Sequence, residues 1–131
     1  MNLSNKDKKE PAPTPTELEI LEILWRDGPT TVRAVNDALN EGKKGGQYTS
    51  TLKLMQIMLK KGLLTRDESE MKHVYSAAYG EKKTKSQMLD QFIKVIYKGY
   101  TSKLVIELLG NKKTSKKEIA EIKEYLKKMD G

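Results

Sequence analysis

Between Thr14 and Ala77 the apolar residues keep a helical period three times and then change to alternation. That order of periods limits the fold more than any other feature of the chain. Thr14 can cap a first helix, Pro15 suits its first position, and Glu17 completes a capping box. Leu18, Leu21, Leu24 and Trp25, widened by Ile20 and Ile23, give this helix its apolar face, and Gly28-Pro29 ends it. A second, short helix spans 31–39, with Thr30 or Thr31 as cap and Val32, Val35, Ala38 and Leu39 on its buried side. A flexible basic loop follows over 41–46. The third helix covers 49–61, with Thr49 as cap, Gly62 as stop, and Thr51, Leu54, Met55 and Met58 on one face. Then Leu63-Leu64-Thr65-Arg66 reads as a strand, 67–70 as a turn, and His73-Val74-Tyr75-Ser76 as the returning strand.

Three helices followed by a hairpin is the order of a winged helix-turn-helix. The third helix is then the recognition helix and the hairpin is the wing. The face of that helix opposite its apolar side carries Thr49, Lys53, Gln56 and Lys60. Two cations, an amide and a hydroxyl with no acid suit the DNA major groove. Lys neutralises phosphate or reaches guanine, and Gln can pair with adenine.

The charge distribution agrees. The chain of 131 residues has a net charge of +7. Residues 1–80 carry 12 basic and 11 acidic side chains, and residues 81–131 carry 13 and 7. Yet 42–66 holds Lys43, Lys44, Lys53, Lys60, Lys61 and Arg66 without one acid, a local +6 around the third helix. Such a patch is the electrostatic footprint of a nucleic-acid surface. Ser50 near the helix start, with Lys72 and His73 near the wing tip, are further candidates for DNA contact. The expected DNA-binding set is therefore Thr49, Ser50, Lys53, Gln56, Lys60, Lys43, Lys44, Arg66, Lys72 and His73. Without cysteine, and with His73 as its one histidine, the chain offers no thiolate site and no multi-histidine cluster. No nucleophile–base pair is evident either. The expectation is a protein that is not an enzyme, with no cofactor and no metal. No run is apolar enough to span a membrane, and the N-terminus has no signal-peptide core. This points to the cytoplasm and to no membrane partner.

Residues 1–13 are polar and read as a disordered tail, 14–80 as the winged helix, and 81–131 as a helical domain. In that last part a helical period starts at Thr84 and carries Met88, Leu89, Phe92, Ile93 and Ile96. Lys98-Gly99 breaks it. Leu104, Val105, Leu108 and Leu109 form a short apolar helix over 103–109, stopped by Gly110-Asn111. Ser115 and Glu118 make a second capping box, followed by the seam Ile119, Ile122, Leu126 and Met129. So short a segment makes a thin core, and a second copy of the chain is the expected cover. Phe92, Ile96, Leu104, Leu108, Ile119, Ile122, Leu126 and Met129 are the expected dimerisation residues.

The stretches TPTELEILEILWRDGPTTVRAVNDAL, YTSTLKLMQIMLKKGLLTRDE and HVYSA, with the later KLVIELL, resemble the penicillinase-repressor family of bacterial winged-helix regulators, the BlaI/MecI/CopY type. The similarity covers about 14–129. It implies a mainly α homodimer, with an N-terminal winged helix and a C-terminal three-helix dimerisation domain. Such a dimer represses transcription from a double-stranded, dyad-symmetric DNA operator. It also implies an inactivating protease or other signal component as partner. Where the penicillinase repressors carry arginines in the recognition helix, this chain has Leu52 and Ile57, so the operator sequence does not carry over. Their cleaved Asn-Phe bond is matched by Glu107-Leu108, which puts the same protease in doubt. The absence of cysteine disfavours the copper sensing of one branch. The alternative from another class is a winged helix used to bind an acidic protein partner.

Overall fold

The computed structural model describes residues 11–41, 47–69 and 71–131. The element order is α1 (Pro15–Asp27), α2 (Val32–Leu39), α3 (Tyr48–Lys61), β1 (Leu64–Asp67), β2 (Val74–Ala77), α4 (Glu81–Tyr97), α5 (Thr101–Gly110) and α6 (Lys116–Asp130). Local chemistry sets most of the ends. The Thr14 hydroxyl accepts from the Glu17 amide at 3.2 Å, and the Glu17 carboxylate accepts from the Thr14 amide at 2.9 Å. Two donors left open by the start of α1 are thereby satisfied. Thr31 caps α2 by accepting from the Ala34 amide at 3.2 Å. At the end of α3, Gly62 turns left-handed at φ 85°. This lets the Leu63 amide reach the Met58 carbonyl at 2.9 Å and the Gly62 amide reach that of Leu59 at 3.1 Å, a Schellman closure.

Several boundaries differ from the sequence expectation. The cap position of α3 is Gln47, whose side chain makes no capping bond, and Thr49 lies inside the first turn. Leu63 is spent closing α3, so β1 starts one residue later, at Leu64. His73 lies just outside β2 and is exposed. The expected tail over 1–13 lies outside the described residues as far as residue 10, and Pro13 is buried.

β1 and β2 pair antiparallel with Leu64 opposite Ala77 and Asp67 opposite Val74. On the far side of β2 a single bridge joins Tyr75 to Thr30, with amide–carbonyl distances of 2.8 and 3.0 Å in the two directions. This is the winged helix-turn-helix arrangement: three helices and a hairpin whose second strand also touches the α1–α2 connection.

The core is Ile20, Leu21, Ile23 and Leu24 of α1, Val32 and Val35 of α2, Met55 and Met58 of α3, and Leu63, Leu64 and Tyr75. Each such apolar side chain, fully buried, stabilises by about 1.5–3 kcal/mol relative to exposure. Leu54, expected on the buried face, is only half-buried, as are Leu18 and Trp25. The Trp25 indole N–H donates to the Tyr79 carbonyl at 3.0 Å and ties α1 to the chain leaving the wing.

The chain divides into two compact units, one ending at Met88 and one from Leu89 to Gly131. The division falls inside α4 rather than at 80. The first turns of α4 belong to the first unit: Thr84 is buried there, and Lys85 reaches Glu81 at 2.7 Å and Glu22 at 3.9 Å. In the second unit α4 ends where Lys98 and Gly99 both take positive φ. The Ser115–Glu118 capping box opens α6 with bonds of 3.1 and 3.0 Å. No side chain of 89–131 is buried.

Candidate nucleic-acid interface

α3 positions the residues that matter, and its own sequence decides which way it faces. Thr51, Met55 and Met58 are buried, so the helix is pinned by one side. Thr49, Lys53, Gln56 and Lys60 are then turned to solvent together, with Ser50 beside them. Ile57, half exposed, stands next to Gln56 on the same side. An apolar side chain there can meet a thymine methyl.

The angle of α3 is fixed by more than oil. The Thr51 hydroxyl donates to the Asn36 side-chain oxygen at 2.7 Å, across the junction of α2 and α3. Asn40 donates to the same oxygen at 3.1 Å and to the Asn36 carbonyl at 2.7 Å. Both Asn36 and Thr51 are buried. At the other end of α3, Lys61 pairs with Glu17 at 2.7 Å. Burial alone would raise the Glu17 pKa. The Lys61 ammonium and the Thr14 amide and hydroxyl outweigh that and hold it below the ordinary value.

These pairings change the electrostatics expected from the sequence. Of the six cations in 42–66, Lys61 is tied to Glu17 and Arg66 to Glu68. Arg66 also lies over the Tyr75 ring, 5.9 Å from its centroid. Lys43 and Lys44 lie outside the described residues. On the exposed side of α3 that leaves Lys53 and Lys60 as unpaired cations among the described residues. The formal local +6 therefore overstates the charge available to a ligand.

Lys72 and His73 are exposed where the chain enters β2. They border a groove of about 470 Å³ whose opposite side is formed by the starts of α2 and α3. There Arg33 of α2 lies over the ring of Tyr48 of α3, its guanidinium carbon 4.8 Å from the ring centroid. Sequence reasoning passed over both residues. The signal available was position, since each stands at the start of a helix of the turn motif.

The expected dimerisation residues lie in the second unit. Phe92, Ile96, Leu108, Ile122, Leu126 and Met129 are exposed, and Leu104 and Ile119 are half-buried. Among the described residues no cluster of His, Asp or Glu could hold a metal ion, and no helix is long and apolar enough to cross a membrane.

A sequence model described as penicillinase repressor matches residues 13–128. Among solved structures, the solution structure of apo-NmtR is similar at 27% identity and a TM-score of 0.42. The match covers 63% of this chain, which spans 61% of that one. No curated protein matches.

Proposed function

The chain belongs to the penicillinase-repressor family, and from that premise we propose a homodimeric repressor that seats α3 in the major groove at both halves of a dyad-symmetric operator. Members of the family are DNA-binding transcription regulators and not enzymes, and this chain is one of them. The observation that carries the finer reading is the acid-free exposed stripe of Thr49, Lys53, Gln56 and Lys60 on a helix pinned by its opposite face. In this reading Gln56 and Lys53 read base edges, Thr49, Ser50 and Lys60 meet phosphate, and Lys72 and His73 bring the wing to the flanking backbone.

The part up to Met88 binds DNA and the part from Leu89 dimerises. The apolar faces of α4, α5 and α6 support this, since the chain alone leaves them open. The dimer acts in the cytoplasm. Any signal component that cuts or melts α5, where Glu107-Leu108 lies, would relieve repression by undoing the dimer.

The test starts from a duplex selected by the wild-type protein from a random-sequence library. Lys53→Ala and Gln56→Ala should each weaken binding to it while leaving thermal unfolding unchanged. Loss of a bidentate hydrogen-bonded pair with a base costs about 1–3 kcal/mol. If both variants bind the selected duplex like wild type at matched salt, α3 is not the reader.

A further inference from the structure

The groove between the wing and the starts of α2 and α3 holds a cation that no carboxylate among the described residues neutralises. Arg26 is paired with Asp27 and Arg66 with Glu68. Among the described residues no carboxylate lies within ion-pair distance of Arg33. Asp37, one turn along α2, also lines the groove but makes no ion pair with it. Arg33 nevertheless has a contact that orients it, because its guanidinium carbon lies over the Tyr48 ring, 4.8 Å from the centroid. A cation–π contact draws on the charge of a guanidinium, and among the described residues no protein acceptor takes a hydrogen bond from the Arg33 N–H groups. A planar fork of donors with no partner among the described residues matches two oxygens of a phosphate.

The surroundings favour an anion in the same place. Among the described residues, Arg33, Lys72 and His73 border the groove with Asp37 as the one acid. Tyr48 and Arg33 stand in the first turns of α3 and α2, where both helix dipoles present their positive ends. Tyr48 is also next to Thr49, so the groove continues directly into the exposed stripe of α3. A phosphodiester strand fits that continuity better than an isolated small anion, which would have no use for the stripe.

We propose that Arg33 is a phosphate-binding residue of the DNA interface and that Tyr48 is its positioning residue, so that one strand of the operator runs between α2 and the wing. The proposal rests on the reading that α3 enters the major groove. It adds a backbone contact from α2, on the side of α3 that faces the wing. Tyr48 matters through its ring: it holds a long flexible side chain ready, which lowers the entropy lost on binding.

The experiment uses the full chain and the duplex selected by wild type, with an unrelated duplex beside it, titrated over a range of salt. Arg33→Ala should weaken both duplexes by the same factor. It should also lower the slope of log affinity against log salt by about 0.9 for each phosphate that the variant no longer neutralises. Arg33→Lys should keep the slope but bind more weakly, because the charge stays and the fork is gone. Tyr48→Phe should behave as wild type, and Tyr48→Ala should weaken binding, each with an unchanged thermal transition. Methylphosphonate placed at each position in turn should identify one phosphate per half-site whose neutralisation weakens wild type and is silent in Arg33→Ala. An Arg33→Ala protein with wild-type salt slope and wild-type methylphosphonate profile overturns the proposal. Lys53→Ala and Gln56→Ala without effect, beside an intact Arg33 effect, would instead overturn the reading of α3 alone. Wild type selecting no duplex overturns both.

Discussion

Ile20, Val35, Met55 and Met58 are wholly shielded from water in the unit that ends at Met88, whereas Phe92 is 46% and Leu126 52% exposed in the unit from Leu89. Both units have amphipathic helices with apolar residues at helical spacing. The difference lies in what stands opposite each face. In the first unit the faces of three helices meet one another, and Leu63, Leu64 and Tyr75 of the wing region close the remaining side. In the second, α5, α6 and the end of α4 leave no residue buried. A helical period says that a face wants cover. It does not say whether the same chain supplies it, and a segment this short has little surface with which to do so.

The sharpest way to break this contrast is to make the open faces polar. Ile122→Asp with Leu126→Asp, in the full chain, should leave the first unit folded and abolish dimerisation. Linking two binding units raises affinity by about 10²–10⁴-fold through effective concentration alone, and operator affinity should fall by that order. Sedimentation beside a DNA titration reads both effects. A wild-type protein that is already monomeric would mean that the open faces do not serve a second copy of the chain.

The matching change in the closed unit is Met55→Ala. Met55 is fully buried on the inner face of α3. Truncation should cost about 2–5 kcal/mol in urea unfolding, with no dependence on protein concentration. A loss under about 0.5 kcal/mol, the scale of a surface change, would mean that α3 is not packed by this side.

How much of this was legible depended on whether the cause was local. The Thr14–Glu17 capping box, the Gly28 and Gly62 stops and the Ser115–Glu118 box could be read because their partners lie within a few residues. The hairpin could be read from the change of period after Gly62. The parts that escaped depend on residues far apart in the chain. Glu17 reads as a capping residue, yet it also holds Lys61. Lys61 likewise reads as a free cation until that acid is brought beside it. Asn36, on a polar position of a short helix, gave no sign that Thr51 would donate to it. Arg33 and Tyr48 belong to different helices. The division at Met88 was hidden because α4 runs through it without a break.

Glu17 and Lys61 offer a smaller change that sharpens the same contrast, since the second unit has no buried ion pair. Lys61→Met removes a bond to a charged group and should cost about 1.5–3 kcal/mol. The Glu17 carboxyl lies below its ordinary value in the folded protein. Its contribution is therefore fully present above the unfolded value and is lost as pH falls through the folded one. Acid unfolding of wild type should steepen in that window, and Lys61→Met should flatten it. Equal acid profiles for the two proteins would show that the pair does not contribute.

The smallest effect concerns the polar link between α2 and α3. Thr51→Val keeps the volume and removes the hydroxyl that donates to Asn36 at 2.7 Å. The Asn36 oxygen retains Asn40 as a donor at 3.1 Å, so it is not left bare. The expected loss is about 0.5–1.5 kcal/mol, the net worth of one hydrogen bond. Asn36→Leu alone should cost more, because it also strips the side-chain bond from Asn40 and forces a larger apolar group into the junction. The double variant isolates the pair, and its coupling should be close to the Thr51→Val loss. If this bond fixes the angle at which α2 presents α3, Thr51→Val should alter base preference on a set of duplexes more than it alters stability. A coupling of zero, with wild-type base preference, would show that apolar packing alone sets the turn.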